Sequence, residues 1–290
     1  MKSIYIKIIV SSLLIFCITS CTKEISLDVT HEPQTIIFGS ISNENVPVSI
    51  RIQQSVPLQD SSSSKPVNDA SVSLYAKDTS GNTNLVTNDF VIDQGVYTSA
   101  QSISTTIGYS YWIEVRLNDG TLFKSKEELL KPVVLINNTS IKNGDILEIE
   151  FSDPGDDTNF YKFTVELFNE GQLVSSNTSQ SNDVVFNGKE SASVEVDLFR
   201  LQDDDEDITV LYDEIKVTFC NINFDSYQFY LNQSLQLEAN DSESSGDPSQ
   251  LFATPPVNLL GNITNSGSNK VVLGNFTVNA VSTVNQIGSN

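Results

Sequence analysis

Proton transfer near neutral pH usually falls to histidine, and this chain has one, His31, in a polar stretch ahead of any patterned segment. A Ser-His-Asp arrangement needs that ring held by a folded shell, so catalysis at His31 is not expected. Of three cysteines, Cys17 lies in an apolar leader, Cys21 follows that leader, and Cys220 ends an apolar strand pattern. The expectation for Cys220 is a buried, inert thiol, and zinc would need a Cys/His cluster this composition does not supply. Hard cations take oxygen ligands, and two acidic stretches offer them: Asp153, Asp156 and Asp157 in DPGDD, and Asp203, Asp205 and Asp207 in DDDED. Neither has the spaced acids and glycine of an EF-hand loop, and adjacent acids are usually a solvated turn. The pattern therefore favours no cofactor, with calcium the metal those six would take. Glycoside hydrolysis would use one carboxylate pair, and thirty-seven acids single out none. Trp112 is the remaining candidate. In YSYWIEVRL, Tyr109, Tyr111, Ile113 and Val115 alternate onto one face, leaving Trp112 with Ser110, Glu114 and Arg116. An aromatic on a polar face is either a contact surface for a protein or sugar, or packs against a neighbouring domain.

Location is written at the amino terminus. Lys2 and Lys7 precede a short apolar run from Ile8 to Ile18, and Ile18-Thr19-Ser20-Cys21 follows. That is a secretion signal over 1–20, too short for a stable span, and its ending matches a bacterial lipobox. Cleavage before Cys21 and acylation of its thiol would anchor the protein by lipid, the only expected membrane contact. With sixteen Lys and Arg against thirty-seven Asp and Glu, the formal net charge is −21. Such a surface repels phosphate backbones, so nucleic acid is not an expected partner. A lone thiol beyond the anchor forms no internal disulfide, so stability must come from apolar burial, for which 39% hydrophobic residues suffice.

Behind a tether at 21–32, hydrophobicity alternates with a period of two, the mark of half-buried antiparallel strands. Val46, Val48, Ile50 and Ile52 share a face, as do Ala70, Val72, Leu74 and Ala76. Asn118-Asp119-Gly120 reads as a hairpin turn. Residues 33–131 thus describe an immunoglobulin- or transthyretin-like β-sandwich. The pattern restarts after Lys131-Pro132, and 132–290 reads as a second β-sandwich, with the tail closing its sheet. One segment near 224–238 is helical: Phe224, Tyr227, Leu231 and Leu235 recur at helical spacing, Asn223 is placed to cap, and Asp225 suits the dipole.

These residues carry a resemblance. The lipobox with its acidic leader, PVNDASVSLYAKD, GVYTS, GYSYWIEV, FSDPGDDTNFYKF, YQFYLNQSL and LFATPPVNLLGNITN occur in the order seen in a lipoprotein family of the Bacteroidota. The chain resembles that family, the domain of unknown function 4249 family. The resemblance implies an outer-membrane lipoprotein without assigned catalysis, often accompanying a SusC-like TonB-dependent β-barrel transporter. Members often end in NI-x-NG-x-G-x-F; here Asn262-Ile263-Thr264-Asn265 is separated by an insertion from Leu273-Gly274-Asn275-Phe276. The expected role is a non-catalytic accessory or binding component of TonB-dependent uptake, on either face of the outer membrane. The alternatives are a cell-surface adhesion or structural module and a polysaccharide hydrolase.

Overall fold

A computed structural model describes residues 31–57, 60, 64–143, 146–155, 157–198, 211–241 and 259–287, with the backbone alone at 238–241. The described strands are β1 (Thr35–Ser42), β2 (Val46–Gln54), β3 (Lys65–Pro66), β4 (Ser71–Lys77), β5 (Thr83–Thr87), β6 (Phe90–Asp93), β7 (Val96–Ile103), β8 (Ser110–Arg116), β9 (Leu122–Ser125) and β10 (Glu128–Leu129). There follow β11 (Ile136–Lys142), β12 (Ile146–Phe151), β13 (Phe160–Asn169), β14 (Gln172–Asn182), β15 (Ala192–Asp197) and β16 (Glu214–Ile222). Helix α1 (Phe224–Asp241) then leads to β17 (Leu260–Asn265) and β18 (Val271–Ile287). The class is the expected one: mostly β, an immunoglobulin-like sandwich and a second sandwich that carries one helix.

The alternation of the sequence is realised as burial. On β2, Val48, Ile50 and Ile52 are buried; on β4, Val72, Leu74 and Ala76; on β8, Tyr111, Ile113 and Val115. They meet Ile37 of β1, Tyr97 of β7 and Phe123 of β9 in one core. Each such side chain removed from water contributes roughly 1.5–3 kcal/mol, which with no disulfide among the described residues is the main force holding the sandwich closed. The turn at Asn118-Asp119-Gly120 joins β8 to β9 as expected. Gly120 takes φ +87° and its N–H donates to Leu117 O at 3.0 Å, while Asp119 Oδ1 accepts from Thr121 N at 2.8 Å.

The second core lies between two sheets, β11-β12-β15 and the run β14-β13-β16 continued by the end of β18. Leu147, Ile149 and Phe151 from one face Tyr161, Val165, Leu167, Val217 and Phe219 from the other. Phe151 is the aromatic hub, its ring centroid 4.7 Å from that of Phe219 and 5.3 Å from that of Phe186.

The tail departs from the expectation that it closes the second sheet alone. β17 pairs with β9, and the first half of β18 runs parallel to β1 from Ile36↔Leu273 to Ser42↔Asn279. Ile263, Phe276, Val278 and Ala280 therefore belong to the first core. Only from Ala280 onward does β18 pair antiparallel with β16. The physical reason is length: at 17 residues β18 reaches past one sandwich and serves both. Asn43, in the turn after β1, clips it there, donating from Nδ2 to Val281 O at 3.2 Å and accepting from Val281 N at 2.5 Å.

Candidate functional site

Three elements converge where β18 passes from one core to the other: the outer faces of β1 and β2, helix α1, and the ends of β13 and β16. The helix is seated by a buried polar network. Glu128 of β10 is 3% exposed, and its Oε1 accepts from Asn262 Nδ2 at 2.6 Å. Its Oε2 accepts from Asn223 Nδ2 and from Ser226 Oγ, both at 3.1 Å. Asn275 Nδ2 donates to Ser226 Oγ and to Thr277 Oγ1, each at 2.9 Å, and the Tyr230 hydroxyl lies 3.1 Å from Thr277 Oγ1. On its other side the helix meets the second sandwich through Tyr227 against Phe160, centroids 5.1 Å apart, and through Ser234 Oγ donating to Gln180 Oε1 at 3.1 Å.

Burial raises the pKa of the Glu128 carboxyl; hydrogen bonds from Asn262, Asn223 and Ser226 pull it back, and the charge of Asp225 adds to the rise. Lys131 approaches without forming an ion pair among the described residues. Its Nζ donates to Thr158 O at 3.3 Å and stands 5.5 Å from the Phe160 centroid, and burial lowers its pKa against the attraction of Asp157, Asp183 and Glu128. Ser226 beside Glu128 could look like a nucleophile with its base, yet it is fully buried and its hydroxyl is engaged by Glu128 and Asn275. A hydroxyl shut from solvent meets no substrate, so the network is a clamp for α1.

Two glycine-asparagine pairs build that clamp. Leu260-Gly261-Asn262-Ile263-Thr264 and Leu273-Gly274-Asn275-Phe276-Thr277 are near-repeats lying across β17 and β18. Asn262 N donates to Asn275 Oδ1 at 3.1 Å, and Phe276 N donates to Asn262 Oδ1 at 3.0 Å, so each asparagine side chain ties down the opposite strand. The glycines permit the approach: a Cβ on Gly261 would stand 2.2 Å from Gly274 O, and one on Gly274, at φ +104°, 1.9 Å from Ile37 O. Neither Glu128 nor this clasp is among the residues that the sequence patterns single out. The L-G-N-apolar-T repeat was the available signal.

The surface left open beside the clamp is a cleft of two adjoining parts that share Ser40 and Ser49. One, about 280 Å³, lies between Phe38 and Arg51 of the sheet and Phe229, Tyr230 and Gln233 of α1. The other, about 290 Å³, runs between Glu44 and Val46 on one side and Lys162, Thr218 and Cys220 on the other, with Asn279 in its wall. Lys162 Nζ lies 4.4 Å from the Tyr230 ring centroid, bridging the two parts.

The expected site residues scatter. Trp112 is 3% exposed, stacked on Tyr75 with centroids 5.5 Å apart and covered by Lys124 Nζ at 5.0 Å. It is thus not an exposed contact surface; the flanking strands bring Tyr75 and Lys124 over its ring, and its Nε1 has no hydrogen-bond partner among the described residues. Asp153 is buried and consumed, accepting from the Tyr161 hydroxyl and from Gly188 N at 2.8 Å. Burial and that carboxylate together push the Tyr161 pKa far up. Asp157 faces Lys131. Asp156, Asp203, Asp205, Asp207 and Cys21 lie outside the described residues, among which no three His, Cys, Asp or Glu converge as a metal site. Cys220 is 3% exposed, and burial raises its thiol pKa. On α1, Asn223 does not cap by side chain; its amide turns to Glu128 and to Leu129 O at 2.9 Å. Phe224 and Leu235 are 53% and 49% exposed, while Ser226, Tyr227 and Phe229 are buried, because the helix is gripped from two sides and not along one stripe.

A body of this kind, two β-cores joined through one strand with a helix clamped at the junction, defines a mostly-β module whose open cleft carries no assembled catalytic group among the described residues. The model of the domain of unknown function DUF4249 matches residues 22–285, and the chain belongs to that family. No curated protein matches the sequence. Solved structures with some likeness include a DUF4785 family protein from Legionella pneumophila, at 11% identity and TM-score 0.26, over 65% of this chain and 52% of that one. Others are a tetra-tandem repeat from the extending region of a large adhesion protein, at 13% and 0.24 over 65% and 45%, and chicken CNTN1 FN1-FN3 domains, at 11% and 0.22 over 65% and 60%.

Proposed function

We propose that this protein is a non-catalytic outer-membrane lipoprotein, anchored through Cys21, that binds a ligand and assists a SusC-like TonB-dependent β-barrel transporter in its uptake. The observation that carries the binding role is a contrast: the chemically eligible groups, Glu128 and Ser226 at the junction and Asp153 in the second sandwich, are spent on internal hydrogen bonds, whereas the surface left open is a cleft. Among the described residues that cleft holds one carboxylate, Glu44, where glycoside hydrolysis needs two, which favours binding over bond cleavage. The lipobox motif at Ile18–Cys21 supports the location, and the family resemblance supports the choice of partner.

Purification through a carboxy-terminal tag in mild detergent, with the lipid intact, tests the reading. Co-purification of a large β-barrel is expected, and recovery of the protein alone would refute the accessory role. The Cys21→Ala variant is expected in the soluble fraction; its retention on membranes would refute the anchor.

A further inference from the structure

We infer that β1 and β18 form a load-bearing clasp: tension between the tether and the second sandwich runs lengthwise along their parallel ladder, so the body stays folded when pulled against its anchor. The inference rests on the reading of Cys21 as a lipid anchor and adds a mechanical role to the body that the anchor holds.

The first observation is direction. Chain order delivers any pull on the tether to Pro33 and so to the start of β1. From there β1 runs beside β18 in the same sense, from Ile36↔Leu273 to Ser42↔Asn279. β18 then continues into the second sandwich, pairing with β16 from Ala280 to Ile287, the end at which the turn between β13 and β14 also lies. A pull on the start of β1 and an opposing pull at that far turn therefore act along both strands in opposite senses. Rungs between parallel strands are evenly spaced, and under such shear they share the load and must break together. Pairing with β2, from Thr35↔Gln54 to Ser40↔Ser49, loads a second ladder on the other edge of β1 in the same way. The second observation is how the ladder is closed. Ile37, Ile41, Phe276 and Val278 are each 3% exposed or less, so water has little access to replace a loaded rung. At the junction the Asn43 side chain holds Val281 by both of its backbone groups, and Asn43 N donates to Asn279 O at 3.3 Å. Drawing β1 toward the tether pulls Asn43 away from Val281, so this clip carries load together with the ladder.

The test is constant-force pulling of the mature chain carrying Cys21→Ala, held by a tag at its amino end and by one introduced cysteine, with Cys220 buried out of reach. Gln172→Cys puts the second handle on an exposed residue at the far turn. Asn118→Cys puts it, also exposed, in the turn between β8 and β9, whose Leu117 and Asp119 line one cleft with Thr35 and Leu273 at the near end of the ladder. Through Asn118 the load crosses the strands and peels the rungs one at a time. At equal force the folded lifetime is expected to be at least about tenfold longer through Gln172, the factor that one or two extra rungs in the limiting step supply. Asn43→Ala is expected to shorten the Gln172 lifetime about tenfold and to leave the Asn118 lifetime within about twofold, whereas a clip that only stabilises the fold would shorten both alike. Equal lifetimes in the two geometries, a longer one through Asn118, or an Asn43→Ala effect of the same size in both would overturn the inference. Any of those results with Cys21→Ala released from membranes removes the clasp alone; the expected lifetimes with Cys21→Ala still on membranes remove the anchor and leave the clasp.

Discussion

Removing Glu128 probes the clamp and the balance of forces within it. In Glu128→Ala, Ser226 Oγ loses its only acceptor, whereas Asn262 and Asn223 keep second ones, Phe276 O at 2.8 Å and Leu129 O at 2.9 Å. One orphaned hydroxyl and two thinned amides, at about 1–3 and 0.5–1.5 kcal/mol each, bring a gross loss of about 2–4 kcal/mol once the neighbours relax. For a body of this size that is a melting point lower by about 4–16 °C. The pH dependence carries the sharper claim. Folding raises the Glu128 pKa, burial being the leading cause. A carboxyl raised in this way stabilises the native state fully below its unfolded pKa of about 4.3, and that contribution fades as pH rises through the folded value. The native protein should therefore exceed Glu128→Ala by more at about pH 4 than at about pH 7.5, where the ionised carboxylate bears its desolvation. Differential scanning calorimetry of both proteins at both pH values measures this, with all other acids cancelling in the difference. A gap that widens with pH would show that the three hydrogen bonds outweigh burial, and would refute the reasoning.

Gly274→Ala places a Cβ against the Ile37 carbonyl at a φ that side chains rarely adopt, so a loss of about 3 kcal/mol or more is expected in chemical denaturation. A loss under about 1 kcal/mol would mean that β1 and β18 can part without harm. The single tryptophan, Trp112, is buried under Tyr75 and Lys124, so native fluorescence should be blue-shifted and resist acrylamide until denaturant is added. Emission like that of free indole would contradict the burial. Cys220 should resist a thiol reagent such as DTNB in the native state and react on unfolding, since burial disfavours its thiolate; fast native labelling would contradict this.

The strands were legible because each core-facing run repeats with the period of the pleat, as in Val48, Ile50 and Ile52, and the Asp119-Gly120 turn because glycine marks the positive φ. Pairing partners were not legible. Nothing local in Thr35–Ser42 announces a parallel neighbour from the far end of the chain, and alternation fixes the face of a strand without its neighbour. Trp112 shows the same limit: the period correctly puts it opposite Ile113, but what covers that face depends on Tyr75 and Lys124 of flanking strands. Glu128 was passed over because an acid in KSKEELLKP reads as solvated; its burial follows from the arrival of Asn262, Asn223 and Ser226 from distant segments.

The sharing of β18 between the two cores bears on how such a chain can be made. Asn43 and Val281, which hydrogen-bond in the finished fold, are 238 positions apart, and a polypeptide released from its amino end emits the first long before the second. The earlier sandwich then waits, lacking a staple strand and exposing the flank of β1, until nearly all of its sequence has been produced. Vectorial synthesis cannot finish this molecule module by module: completion of one half is contingent on arrival of the last segment of the other, and a cut at the apparent boundary would yield two open pieces in place of two working parts.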